Sequence, residues 1–427
     1  MVVTRQWSTV QHVTADGATD ARYPAAAVGA DGSAILAWSQ SGMTAGTVQA
    51  IRRGAVWSAP TRIDNGTSSR LARVYVVMSD LGDAALAWNG QQGMTTNAMM
   101  TTYRQAGGWA LPTQVATAFG SFPVMARDGT GYFSYSEEYD TTNYRYRSYV
   151  RRFTFDGGLE PAQPMPASLP AGHSVSYVRV IPNNAGGVLA LWNERSAGSV
   201  QRFAALKSQN GWTLPQLLNT AISETFDEFP LDGALAEDGS ALVAFGESHA
   251  NTSTGGLFVT RYVPGTGWGL PTTLHSEAVN QLQMGLEDSG AATVVFANNP
   301  PNNGQGQATL GNLYAAHWDV MAGWLQPMVI ANAGFGGLYS DTWDAAFGPD
   351  GDVVVAWANA FGGSNGVLLE VVERHPGLGW RPSWSISATN GAYAGELAVA
   401  SGVDGSAVIA WTESGAAHTV LGYLEYR

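Results

Sequence analysis

Cysteine is missing from all 427 residues. That excludes a disulfide framework, thiol catalysis and cysteine metal sites, and it leaves burial as the means of stabilising the fold. Lysine is nearly missing too: Lys207 is the only one and follows no Gly-rich loop, so no P-loop is present. Charged residues make up 13% of the chain, and the balance is acidic, with a net charge of −13. A phosphate-backbone partner needs a basic stripe, so nucleic acid is not an expected partner. No apolar run reaches about 18 residues, which argues against a membrane-inserted helix. No charged and then apolar leader opens the chain. Because Met1 leads almost at once into repeated sequence, we expect a secreted or cell-surface protein whose export signal Met1 has replaced.

What the chain does have is repetition. Asp31-Gly-Ser-Ala-Ile-Leu-Ala-Trp38 comes back as variants ending at Trp88, Tyr135, Trp192, Phe245, Phe296, Trp357 and Trp411. A Gly turn followed by small and β-branched residues and a closing aromatic reads as a hairpin turn feeding a strand buried on both faces. A second element is equally periodic: Gly-Trp, usually with proline three residues later, as at Trp109/Pro112, Trp212/Pro215, Trp268/Pro271 and Trp324/Pro327.

Each unit therefore carries four strand signals, A to D, of which Pro24 to Val28, Ile35 to Trp38, Val48 to Arg52 and Trp57 to Ile63 are the first set. Proline removes a ladder donor and is tolerated on an outer strand, so D is the edge. Four-stranded repeats of about 50 to 56 residues with an exposed last strand describe β-propeller blades. The expected fold is all-β: one domain over 1–427, a single eight-bladed β-propeller of antiparallel blades, or seven if the irregular third unit is absorbed by a neighbour. The eighth unit stops without a D strand, while residues 6–13 have the D pattern. The amino terminus is thus expected to complete the last blade and close the ring.

The A-to-B and C-to-D turns are short and alike, whereas the B-to-C and D-to-A loops vary, so the ligand is assigned to the loop face near the central funnel. Funnel positions before strand A include Tyr23, Phe122, Tyr177, Trp343 and Glu396, where aromatics either stack on a ligand or plug the hole. Trp343, flanked by Asp341 and Asp344, is the first choice for contact. Two residues past each closing aromatic stands a second set, Gln40, Gly90, Glu137, Glu194, Glu247, Asn298, Asn359 and Glu413. These either cap backbone N–H groups or bind sugar or cation between blades. The candidate ligand-binding residues are Trp343, Asp341, Asp344, Glu396, Tyr23, Glu137, Glu194 and Glu247, with no catalytic or metal residue assigned. Glu224, Asp227, Glu228 and Asp232 form an oxygen-rich segment suited to calcium, although EF-hand spacing is lacking.

Catalytic motifs are weak. Gly362-Gly-Ser-Asn-Gly366 fits G-x-S-x-G but lies in a Gly-rich loop with no helix to follow, and the seven histidines show no metal-ligand spacing. Paired carboxylates for glycoside hydrolysis would come from different blades and leave no spacing to read.

The repeat P-x-x-A-x-x-x-D-G-x-A-x-x-A-W, then a loop, then G-x-G-W-x-x-P, resembles bacterial propeller repeats of secreted and surface proteins along the whole chain. The Gly-Trp turn sits where the Asp-box of the sialidase superfamily sits, but without its Ser-x-Asp-x-Gly pattern or an arginine triad, so sialidase activity is not implied. The turn also resembles that of propeller lectins, which implies multivalent glycan binding between blades. The expected function is thus carbohydrate binding or adhesion, with a protein-interaction scaffold and a polysaccharide-active hydrolase or lyase as alternatives.

Overall fold

The computed structural model describes residues 6–13, 20–41, 46–64, 70–92, 95–117, 119–140, 145–166, 173–196, 199–208, 211–219, 230–248, 254–298, 311–331, 343–358, 367–387, 393–414 and 419–426. Every regular element among them is a β-strand, and the strands form eight antiparallel sheets. Blades 1 to 7 occupy 20–62, 70–116, 119–164, 174–217, 231–277, 279–331 and 343–387, and blade 8 occupies 393–426. This is an eight-bladed β-propeller. The third unit is a full blade, because Gly158–Leu159 pairs with Phe153 and Thr154 as the Gly-Trp dipeptides pair elsewhere.

Strand D is broken in two wherever proline interrupts it. In blade 2, Gly108–Trp109 and Thr113–Ala116 both pair with Thr95–Arg104, and Pro112, lacking an N–H, lies between them. Blade 8 takes its outer strand from the amino terminus: Gln11–Val13 pairs with Leu421 to Tyr423, and Trp7 bridges Tyr426. Ser8 N–H donates to Glu425 O at 2.8 Å, extending this pairing.

Two compact units are distinguished, one of Met1–Pro123, Arg127–Gly129 and Gly334–Arg427, the other of Val124–Ala126 and Thr130–Ala333. In the first, the A strands of blades 7, 8, 1 and 2 are successive neighbours, and in the second the sheets of blades 3 to 6 follow one another in the same way. The core of each lies between facing sheets. Leu36, Trp38 and Ile51 of blade 1, for example, meet Val408, Ala410 and Leu421 of blade 8. The closing aromatics are the pillars of these layers, with Trp38, Trp88, Trp192, Trp357 and Trp411 fully buried. The Asp-Gly turns place glycine at a φ near +72°, as at Gly32 and Gly405, where a Cβ is disfavoured.

Candidate functional site

The A strand is the inner edge of each blade, so its outward backbone groups lack a ladder partner and must be satisfied otherwise. Carboxylates do this between neighbouring blades. Asp344 accepts the Val399 N–H at 2.7 Å, Asp232 accepts that of Met284 at 3.1 Å, and Glu396 accepts that of Tyr23. Burial raises the Asp232 and Glu396 carboxyls; facing Arg179 and hydrogen bonds oppose this at Asp232, and the Tyr23 bond with Arg22 and Arg73 opposes it at Glu396.

Tyr23 is half-buried with a φ of 52°, in a register shift between Arg22 and Ala25. Tyr177 repeats the feature in blade 4 with a φ of 49°. Left-handed conformation in a tyrosine is uncommon, and here it accompanies the break in register within strand A. Trp343 sits opposite Trp357 and is 1% exposed, so its ring is core rather than a stacking platform. Asp341 lies outside the described residues, as do Glu224, Asp227, Glu228, Asn359 and most of the B-to-C and D-to-A loops.

Residues two past the closing aromatic lie mostly within their own blades. Glu194 is buried, accepts the Trp192 indole N–H at 3.1 Å, and has its carboxyl raised by burial. Asn298 accepts the Asn312 N–H at 2.6 Å, which is backbone capping. Glu413 pairs with His12 at 3.0 Å and so helps hold the amino-terminal strand. Glu137, opposite Arg147, and Glu247, opposite Gly256, are half-buried. Of the described candidates, Glu396 and Tyr23 are brought together, whereas Glu194 bonds within its own blade. Among the described residues no group of three His, Asp or Glu side chains is arranged to hold a metal.

A concavity does form elsewhere, at the outer strands of blades 7 and 8 beside the C-to-D turn. Gln6, Trp7, Glu373, Arg381, Pro382, Trp384 and Tyr426 line a cleft of about 310 Å³. Trp7 arrives on the amino-terminal strand, and its ring meets Trp384 at 5.5 Å and Tyr426 at 5.2 Å between centroids. At the base lies Glu373, 6% exposed. Its Oε1 accepts both indole N–H groups, from Trp7 and from Trp384 at 3.2 Å, and its Oε2 lies 3.2 Å from His375 Nε2. The other nitrogen of His375 is 2.8 Å from Asp352. One buried carboxylate thus orients two aromatic walls.

The repeat explains why a cleft opens here. The residue equivalent to Glu373 is Arg52 in blade 1 and Arg261 in blade 5, as the strand registers show. Those guanidinium groups lie over the next blade's rings, Tyr103 at 5.0 Å and Trp318 at 5.4 Å, filling the space with a cation–π contact. In blade 8 the equivalent is Glu425, which takes the Trp57 indole at 3.3 Å and Arg53 at 3.2 Å. At Glu373 the cavity is lined instead by the half-buried rings of Trp7, Trp384 and Tyr426, with Arg381 beside them. In sequence the Gly-Trp element reads as a turn marker, and Trp384 stands outside the consensus. The available signal was the strand C residue paired opposite the position three before the closing aromatic, which varies among Arg, Glu and other types from blade to blade.

No protein-family model and no curated protein matches the sequence. Solved structures do. The chain is similar to the Dos1 propeller, with a TM-score of 0.53 and 12% identity over 98% of this chain and 94% of that one. It is also similar to the polysaccharide lyase Uly1, with a TM-score of 0.50 and 11% identity over 86% and 92% of the two chains. The likeness is one of fold. Both agree with the β-propeller seen in the blades.

Proposed function

We propose that this propeller binds saccharide and that the cleft between blades 7 and 8 is a binding site. The observation that carries the proposal is the aromatic-walled cavity of about 310 Å³, at the lower end of the range of small-ligand pockets. Trp7, Trp384 and Tyr426 offer apolar faces to the C–H side of a sugar ring, while Arg381 and Gln6 at the rim supply hydrogen-bonding groups. A polysaccharide lyase shares the fold, but at that identity the proposal rests on the cleft rather than on the likeness.

The test is a glycan array probed with labelled protein, with and without calcium, beside a Trp384→Ala variant shown by circular dichroism to be folded. Saturable binding to one sugar class, lost in the variant, supports the proposal. A blank array with folded protein, or binding untouched by the substitution, refutes the cleft. Calcium dependence would direct attention to the acidic segment around Asp227.

A second reading, a protein-interaction surface, is favoured by leucines at one repeat position. Leu111, Leu214 and Leu270, each two residues after a Gly-Trp tryptophan, are 88%, 90% and 90% exposed, an unusual recurrence for large apolar side chains. A pull-down that loses its partner on Leu270→Ser while glycan binding stands would assign that role.

A further inference from the structure

The cleft's own chemistry narrows the ligand class, and this inference rests on the saccharide proposal above. The two charged side chains lining the cavity, Glu373 and Arg381, are in opposite states. The Glu373 carboxylate is buried and engaged at both oxygens, by Trp7 and Trp384 on one and by His375 on the other. Little of its hydrogen-bonding capacity is left for a ligand, and its charge is held by donors behind the aromatic walls. Arg381 is the reverse. Its backbone N–H is tied to Glu373 O at 2.8 Å, which fixes where the side chain starts. The residue is exposed, and its guanidinium has no ion pair, hydrogen bond or ring contact among the described residues.

Other arginines of the outer clefts are occupied: Arg52 and Arg261 over aromatic rings, and Arg53 on Glu425. Beside the half-buried aromatic rings, by contrast, stands a planar fork of donors with no partner among the described residues. A guanidinium in that state matches a carboxylate or sulfate oxygen pair better than a neutral hydroxyl.

We infer that the cleft between blades 7 and 8 takes an anionic saccharide, its ring against Trp7 and Trp384 and its carboxylate or sulfate on Arg381. The remainder of the acidic surface, in a chain of net charge −13, repels polyanions at long range. Recognition is therefore of a single charged residue or chain end rather than of a run of charges.

The experiment is an array of uronic-acid and sulfated oligosaccharides printed beside their carboxyl-reduced and desulfated counterparts. It is probed with the parent protein, Arg381→Ala, Arg381→Lys and Trp384→Ala, each with its melting curve measured. The expected result is binding at least about tenfold stronger to the charged member of a pair. Arg381→Ala should abolish that preference, Arg381→Lys should restore part of it, and Trp384→Ala should remove binding to both members of a pair. Loss of binding on carboxyl reduction identifies a uronate, and loss on desulfation a sulfate ester. Equal binding to charged and neutral members, unchanged in Arg381→Ala, overturns this inference and leaves the saccharide site standing. Binding to neither, with the protein folded, overturns the saccharide site itself.

Discussion

Replacing Glu373 with alanine removes the acceptor that joins the amino-terminal strand to blade 7. Trp7 is half-buried and donates its indole N–H to this carboxylate. Its strand is otherwise held to blade 8 by the Gln11–Val13 pairing, by the Ser8–Glu425 bonds at 2.8 and 3.2 Å, and by His12 on Glu413. A hydrogen bond to a charged group contributes about 1.5–3 kcal/mol net. At about 1.4 kcal/mol per factor of ten, its loss should raise the opening of the strand roughly tenfold to a hundredfold. Native-state hydrogen exchange reads this directly, because the Ser8 and Val13 amides exchange through local opening of the strand. The variant should show that acceleration at residues 8–13 and little change in blades 3 to 6. If exchange there moves by less than about threefold in a folded variant, Glu373 does not tie the strand, and the account of the cleft's walls fails with it.

Three further outcomes follow from the same geometry. Trp411→Ala, at a fully buried site, should cost about 3–5 kcal/mol, seen as a lower urea midpoint; an unchanged midpoint would contradict its place in the core. Gly422→Ala sets a Cβ 2.6 Å from the Trp411 ring and should cost about 1–3 kcal/mol by overpacking, whereas a melting temperature equal to the parent's would mean that the ring moves freely. Burial raises the Glu396 carboxyl, so its contribution to stability is complete below the unfolded value near 4.5 and is lost as pH rises through the folded one. Glu396→Gln keeps an acceptor for Tyr23 and removes the charge. Its melting temperature relative to the parent should therefore climb as pH rises above about 4.5, and a flat difference would refute the sign.

The blades were legible in the sequence because their signals are local. An Asp-Gly turn, a run such as Ile35 to Trp38 and a Gly-Trp with proline three residues on each act over a few residues, and eight copies reinforce one another. Even the closure was legible, since a D-like strand at residues 6–13 and a missing one at the end are complementary counts. The roles of Trp343, Asp344 and Glu396 were not. A tryptophan at a strand's start reads the same whether it faces a funnel or a sheet, and register against Trp357 places it in the core. Asp344 and Glu396 look like ligand groups until Val399 and Tyr23 are seen to offer unpaired N–H groups.

The cleft lay further still from the one-dimensional pattern. Trp7, Glu373 and Trp384 are brought together by an amino-terminal strand that joins the last blade, some 366 residues from Glu373. Whether that space is open depends on which side chain the neighbouring strand sends into it, arginine over a ring in blades 1 and 5 or glutamate beneath two indoles in blade 7. Secondary structure follows from short-range backbone and burial preferences, which the sequence carries by itself. A binding surface follows from side chains of different strands meeting in space, which only the tertiary structure decides.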